Sequence, residues 1–204
     1  MATRKYEQRL RAEAAEETRR RILDAVHERV RVAPTEPVSI DQVARAAKVA
    51  RSTVYLVFGS RAGLFDAVAA DLNERGGFDR VVRAVAHADA REHLRGGIHG
   101  GMLTFAAYRD VHRVLYSMAN LDADAVGGAV QRIEKNRAGG MAYLAKRLAE
   151  QGQLRPDVTE TEAAHVLWLL TSFDSFDLLY TGRSLPAEEV ARILTLTAER
   201  AVCR

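Results

Sequence analysis

The sequence predicts an all-α protein of about nine helices. Three observations carry this. Apolar residues recur at i, i+3, i+4 and i+7 spacing in nearly every segment. No alternating apolar–polar run bounded by turn residues reads as a strand. Residues that cap or stop helices stand at the ends of the apolar stripes.

The first helix is expected over about 18–32, with Ile22, Ala25, Val26 and Val30 on one stripe. Pro34 and Pro37 stop it, because proline lacks the N–H and clashes with the preceding turn. Ser39, with Gln42 three residues on, forms a capping box for a second helix whose stripe is Ile40, Val43, Ala44 and Ala47. After a break at Ala47-Lys48-Val49, a third helix runs from about Arg51 to Phe58. Gly59-Ser60 interrupts it, and Ser60 caps a fourth helix carrying Leu64, Phe65, Val68, Ala69 and Leu72, closed by Gly76-Gly77.

The rest reads as a longer helical body. Asp89 caps a helix over about 90–107, and another follows over about 110–119. Asn120-Leu121-Asp122 breaks the pattern before a long helix to about Glu150. Gly152 and Pro156 mark a loop. Thr159, with Glu162, caps a helix over about 160–181, and a last helix runs from the Gly182–Pro186 turn to about Ala201.

Composition excludes several classes. The chain has 204 residues, 48% hydrophobic and 28% charged, ordinary for a globular protein and too apolar for a disordered one. One cysteine, Cys203, cannot build a disulfide framework or a CxxC metal clip, which points to a reducing, cytoplasmic setting. No apolar run suggests a membrane span, and the charged N-terminus does not read as a signal peptide. No P-loop, GxSxG or HExxH string is present, so neither an enzyme nor a bound cofactor or metal is expected. Charge is uneven: residues 1–61 carry 13 Lys+Arg and 8 Asp+Glu, whereas 62–204 carry 17 and 19. A basic head on a faintly acidic body fits a polyanionic partner or a solvated charged face.

Two short helices joined by a tight turn and supported by a third have the grammar of a helix-turn-helix. Arg51, Ser52, Thr53 and Tyr55 gather on the outward face of the second one. Arg reads guanine edges bidentately, and hydroxyls reach phosphates or bases.

On T-R-R-R-I-L-D-A-V (18–26) and V-S-I-D-Q-V-A-R-A-A-K-V-A-R-S-T-V-Y-L-V-F-G-S-R-A-G-L-F (38–65), the sequence closely resembles the tetracycline-repressor (TetR) family of transcriptional regulators. The most specific part is Thr53-Val54-Tyr55, Phe58 and Ser60-Arg61, followed by Leu64. The resemblance implies a DNA-binding head over 1–61 and an effector-binding, dimerising body over 62–204. It implies that Ser39 and Tyr55 bond phosphates, that Arg51 and Ser52 face base edges, and that Thr53 touches a phosphate or a base. Arg61 would pin the backbone, and Arg19, Arg20 and the Arg4/Lys5/Arg9/Arg11 arm would add attraction. Three positions depart from the family pattern. Lys48 stands where glycine is common, Ala50 where Ser or Thr caps the third helix, and Leu56-Val57 where polar or aromatic residues follow the tyrosine. The last two side chains offer only apolar contact, such as with a thymine methyl.

The helix at 160–181 is apolar on more than one side, so one side needs a partner. The family arrangement implies a homodimer through a four-helix bundle, using Leu167, Phe173, Phe176, Leu179, Tyr180, Val190, Ile193, Leu194 and Thr197. Asp174 and Asp177 sit in this apolar helix: one can bind a cationic effector, or one can pair with an arginine across the dimer. The resemblance places a small-molecule cavity among His99, Met102, Phe105, His112, Tyr116, Tyr143, Trp168 and Asp174. The glycine doublets at 96–97, 100–101, 127–128 and 139–140 either permit close helix contact or leave ligand room. The expected protein is a dimeric, sequence-specific regulator, a repressor released from double-stranded operator DNA by an effector. The three departures keep open a second reading, a ligand-binding or interaction module of this fold with weak or no DNA binding.

Overall fold

A computed structural model describes residues 2–33, 36–121 and 123–204, without the side chains of 2–5, 73, 123–125 and 127. Pro34 and Asp122, assigned above to helix breaks, lie outside the described residues, as do the side chains of Arg4 and Lys5. Eleven helices are described: α1 (Ala2–Val32), α2 (Ile40–Ala46), α3 (Arg51–Phe58), α4 (Arg61–Arg75), α5 (Asp79–Val85), α6 (Ala90–Ala107), α7 (Arg109–Leu121), α8 (Ala123–Glu150), α9 (Glu160–Leu170), α10 (Phe173–Tyr180) and α11 (Ala187–Val202). Among the described residues no helix is long and apolar enough to cross a membrane. The chain divides into two compact units, residues 1–71 with 113–130, and residues 72–112 with 131–204.

In the first unit, α1 begins well before the expected Thr18. Its early turns are rich in Ala, Glu and Arg, strong helix formers, and Arg9 pairs with Glu13 at 3.4 Å along the helix. The core of this unit is built from Ile22, Val26, Val30, Val38, Val43, Val54, Leu64, Phe65 and Val68, all buried, with Val114, Leu115, Met118 and Val126. His27 Nε2 lies 2.7 Å from Asp71 Oδ2 and ties α1 to α4.

In the second unit, α6 packs on α11 and α5, and α11 on α9 and α10. Leu94, Ile98, Met102, Leu144, Leu148, Leu167, Phe176, Val190 and Val202 are its buried core. Two features here are absent from the sequence reading. One is α5, which buries none of its side chains. It is seated by glycine: a methyl at Gly96 would fall 2.9 Å from the Ala84 methyl, and one at Gly100 would fall 3.2–3.3 Å from Arg80 and Val81. Gly96 and Gly100 therefore serve close helix contact. Gly101, Gly139 and Gly140 meet nothing. Arg147 closes the end of α5 by donating to the carbonyls of Val85 (3.2 Å), His87 (2.6 Å) and Ala88 (2.7 Å).

The other feature is the break that splits the expected 160–181 helix into α9 and α10. Polar side chains take over the backbone bonds there. Thr171 Oγ1 donates to the Leu167 carbonyl at 2.7 Å, and Ser175 Oγ to the Leu169 carbonyl at 2.7 Å. Ser172 Oγ accepts the Ser175 N–H at 3.0 Å and so caps α10. Arg137 donates to the Trp168 carbonyl and to Thr171 Oγ1.

Candidate nucleic-acid interface

The helix-turn-helix is built locally. At the start of α2 the Ser39 hydroxyl oxygen accepts the Gln42 N–H, and the Gln42 side chain accepts the Ser39 N–H, both at 3.2 Å. This is the expected capping box, and it leaves the Ser39 O–H free to donate outward. The turn closes α2 by two bonds, Val49 N–H to the Ala44 carbonyl (3.0 Å) and Lys48 N–H to the Arg45 carbonyl (3.2 Å). That pattern is the Schellman motif, which needs a left-handed residue at its centre. Lys48 supplies it with φ 55°, a conformation glycine adopts with less strain. Ala50 opens α3 without a side-chain cap.

Within α3 only Val54 is fully buried; Phe58 is half-buried beside it, and most of the remaining face points out. Arg51, Ser52, Tyr55 and Leu56 are exposed, Leu56 by 86%. Thr53 and Val57 are half-buried. Arg51 Nη1 donates to both oxygens of Asp41 at 3.2 and 3.3 Å, and Nη2 donates to the Tyr55 hydroxyl at 3.4 Å. Its charge centre stands 5.7 Å from the Tyr55 ring centroid. The Tyr55 hydroxyl and the Asp41 carboxylate hold the guanidinium above its ordinary pKa. Tyr55 accepts from Arg51 and keeps its own O–H as a donor.

The α3–α4 joint is fixed by Gly59, with φ 74°, and by Gly63, where a methyl would overlap the Phe58 carbonyl. Ser60 Oγ accepts the Gly63 N–H at 2.9 Å, the cap expected for α4. Arg61 is half-buried, donates to the Val38 carbonyl at 3.4 Å and lies 5.7 Å over the Phe65 ring. Arg19 is half-buried with its charge 5.0 Å from the Phe58 ring, whereas Arg20, Arg9 and Arg11 are exposed. Of the expected contact residues, Arg51, Ser52 and Tyr55 share one exposed helix. Arg61 and Arg19 are braced against the unit's own aromatic rings. Asp41 was not singled out in the sequence; its place in the first turn of α2, facing the first residue of α3, is the signal that a helix-turn-helix reading makes available.

The residues expected around an effector fall in both compact units and differ in burial. Met102, Phe105 and His112 are buried in the second unit's core. Phe105 meets His112 edge-on at 5.0 Å and Phe173 at 5.5 Å, and His112 stacks on Phe173 at 5.6 Å. His112 Nδ1 bonds the Tyr108 carbonyl at 3.0 Å, and burial pulls its pKa down to about 4. His99 lines an open groove of about 770 Å³ between α6 and α11, with Glu92, Arg95, Arg192 and Leu196, and its Nε2 lies 2.8 Å from Glu188. Tyr143 is exposed on α8, 5.9 Å from the Arg147 charge, and Trp168 is exposed with Arg137 4.8 Å above its ring. Tyr116 is half-buried in the first unit, and Asp174 is exposed at the start of α10.

The residues assigned above to a dimer bundle are placed differently from one another. Leu167, Phe173, Phe176, Val190 and Leu194 are buried within the single chain and have no surface left for a partner. The break at Thr171-Ser172 re-phases α10 and turns both phenylalanines inward. Leu179, Tyr180 and Ile193 are half-buried and Thr197 is exposed. The apolar side chains these helices leave in solvent are Trp168 (41%), Leu169 (60%) and Leu178 (70%). Asp177 finds its arginine within the chain: Arg109 Nε donates to it at 2.7 Å.

Comparison with known proteins agrees with this geometry. Residues 22–68 match the model of the bacterial regulatory proteins, tetR family. No curated protein matches the sequence. Solved structures share the fold along nearly the whole chain. A TetR family transcription regulator from Marinobacter aquaeolei VT8 is similar at 16% identity and TM-score 0.68, covering 94% of this chain and 98% of its own. NalD, the secondary repressor of the MexAB-OprM multidrug efflux pump in Pseudomonas aeruginosa, is similar at 22% identity and TM-score 0.67, with the same coverage. The ketosteroid transcriptional regulator KstR2 of Mycobacterium tuberculosis is similar at 15% identity and TM-score 0.64, covering 91% of this chain and 95% of its own. Residues 22–68 thus carry a helix-turn-helix that matches the tetR-family model, and the chain as a whole shares the all-α fold of these solved structures.

Proposed function

We propose that the protein is a dimeric, sequence-specific DNA-binding repressor that a small-molecule effector releases from its operator, with residues 1–61 as reading head and 62–204 as effector-binding and dimerising body. The observation that carries the reading is α3: one buried anchor, Val54, and an outer face of Arg51, Ser52 and Tyr55. Such a helix fits the major groove, where Arg51 and Ser52 would meet base edges while the free O–H groups of Tyr55 and Ser39 reach phosphates. Thr53, Arg61, Arg19 and Arg20 would add contacts at the flanks. Two heads on a twofold axis would read two half-sites. The exposed Trp168, Leu169 and Leu178 supply apolar surface that a second copy would cover. An effector that prefers one shape of the body would displace the heads through α4 and weaken DNA binding.

The second reading, a module that has lost DNA binding, draws on the strained Lys48 and the bare cap at Ala50. Both Schellman bonds are nevertheless present, so these departures lower stability without removing the reading surface.

The test is selection of bound duplexes from a pool randomised over 30 base pairs, followed by titration of the enriched sequence. One sequence should be enriched, and its affinity should fall steeply with salt. Tyr55→Phe should weaken binding about tenfold, the loss of one hydrogen bond to a charged group, with the oligomeric state unchanged. Equal binding by the variant removes the phosphate contact; enrichment of no sequence leaves the second reading standing.

A further inference from the structure

We infer that Asp41 is a positioning residue that sets the specificity of α3: its carboxylate holds the Arg51 guanidinium for a neutral base edge and against use on a phosphate. The inference rests on the proposed DNA binding by α3.

The geometry supplies the argument. Both oxygens of Asp41 face one terminal nitrogen of Arg51, at 3.2 and 3.3 Å, and the Tyr55 hydroxyl takes the other at 3.4 Å. Each terminal nitrogen carries two N–H groups. One on each is therefore engaged within the protein, and one on each remains. Two such N–H groups side by side are what a guanine edge accepts through O6 and N7. The guanidinium is held from two sides before it meets DNA, so less rotamer freedom is lost on binding.

Charge completes the case. A phosphate brought to Arg51 would come close to the Asp41 carboxylate and be repelled; a guanine edge carries no net charge and would not. The ion pair thus weakens the wrong use of Arg51 and leaves the right one intact. Its two side chains are 59% and 55% exposed, so it does little to hold the fold and can be removed without unfolding the head.

The experiment uses the full chain, the duplex enriched from the randomised pool, the same duplex with each G·C pair replaced in turn, and an unrelated duplex. Asp41→Asn should lower the preference for one G·C position about two- to fivefold, the range of an exposed ion pair. It should also raise affinity for the unrelated duplex and steepen its salt dependence by about 0.9 in log–log slope, one extra phosphate contact. Asp41→Glu should recover most of the preference, and in an Arg51→Ala background Asp41→Asn should leave it unmoved. Thermal melting of each variant separates these effects from misfolding.

If Arg51→Ala relaxes the preference but Asp41→Asn does not, the role of Asp41 is overturned and base reading by α3 stands. An equal drop on all duplexes after Asp41→Asn, a merely structural effect, overturns it too. If Arg51→Ala changes no preference, base reading by Arg51 and the inference fall while DNA binding by α3 stands; if the pool yields no sequence, the inference and the reading beneath it fall together.

Discussion

Helix α3 and the α9–α10 pair spend their apolar residues in opposite ways. α3 buries Val54 alone and leaves Leu56 almost fully in solvent. α9 and α10 send Ala163, Leu167, Phe173 and Phe176 into the core of the second unit. One helix is held lightly so that its side chains remain available to something outside the chain. The other pair is held from within, and its aromatic rings interlock with Phe105 and His112. The place of a side chain on a helix therefore says little about its role until the neighbouring elements are known.

The sharpest way to break this contrast is to empty the second core. Phe176 is fully buried among Phe105, Phe173 and Tyr180. Phe176→Ala should cost about 3–5 kcal/mol in denaturant unfolding. A loss below about 1 kcal/mol would mean that the cluster is not the tightly packed core described here.

Acid should reach the same cluster. Burial lowers the His112 pKa from 6.5 to about 4, so the folded chain refuses a proton that the unfolded chain accepts. Stability is thus fully present above about pH 6.5 and is lost as pH falls toward 4. The whole effect is of the order of 3 kcal/mol. Denaturation midpoints measured between neutral and mildly acid pH should show this slope, and His112→Gln should flatten it. His93 acts in the same direction, since burial and the Arg147 charge bring it to about 4 as well.

The head offers smaller effects of opposite sign. Ala50→Ser would supply the missing cap of α3 and should raise stability by roughly 0.5–2 kcal/mol. Lys48→Gly would relieve the left-handed turn and should gain less than about 1 kcal/mol, because glycine also loosens the unfolded chain. Head stability unchanged by Ala50→Ser would mean that α3 needs no side-chain cap, and unchanged by Lys48→Gly that the turn is not strained.

These differences also mark what the sequence made legible. Ser39 with Gln42, Arg51 to Phe58 and the Ser60 cap are local signals, decided within four residues, and the structure places them as expected. α5 lacks a cap and buries nothing; its existence depends on two glycines and an arginine far along the chain. The break after Leu170 depends likewise on Arg137, 34 residues before Thr171, together with a Thr-Ser pair easily read as ordinary helix. Treating 160–181 as one continuous helix gave the wrong phase beyond Thr171. The family resemblance, not the phase, puts Phe173 and Phe176 in a dimer bundle, and the single chain buries both.

The seat of α5 has a consequence for how readily it opens. This segment is seated on Gly96 and Gly100, buries no side chain fully, and is tied at its end by Arg147 and Gln151. Its amides should exchange with deuterated solvent ahead of those in α6 beneath it. The glycines beneath α5 thus make it the most lightly seated helix of the second unit's described residues, none of its side chains being fully buried.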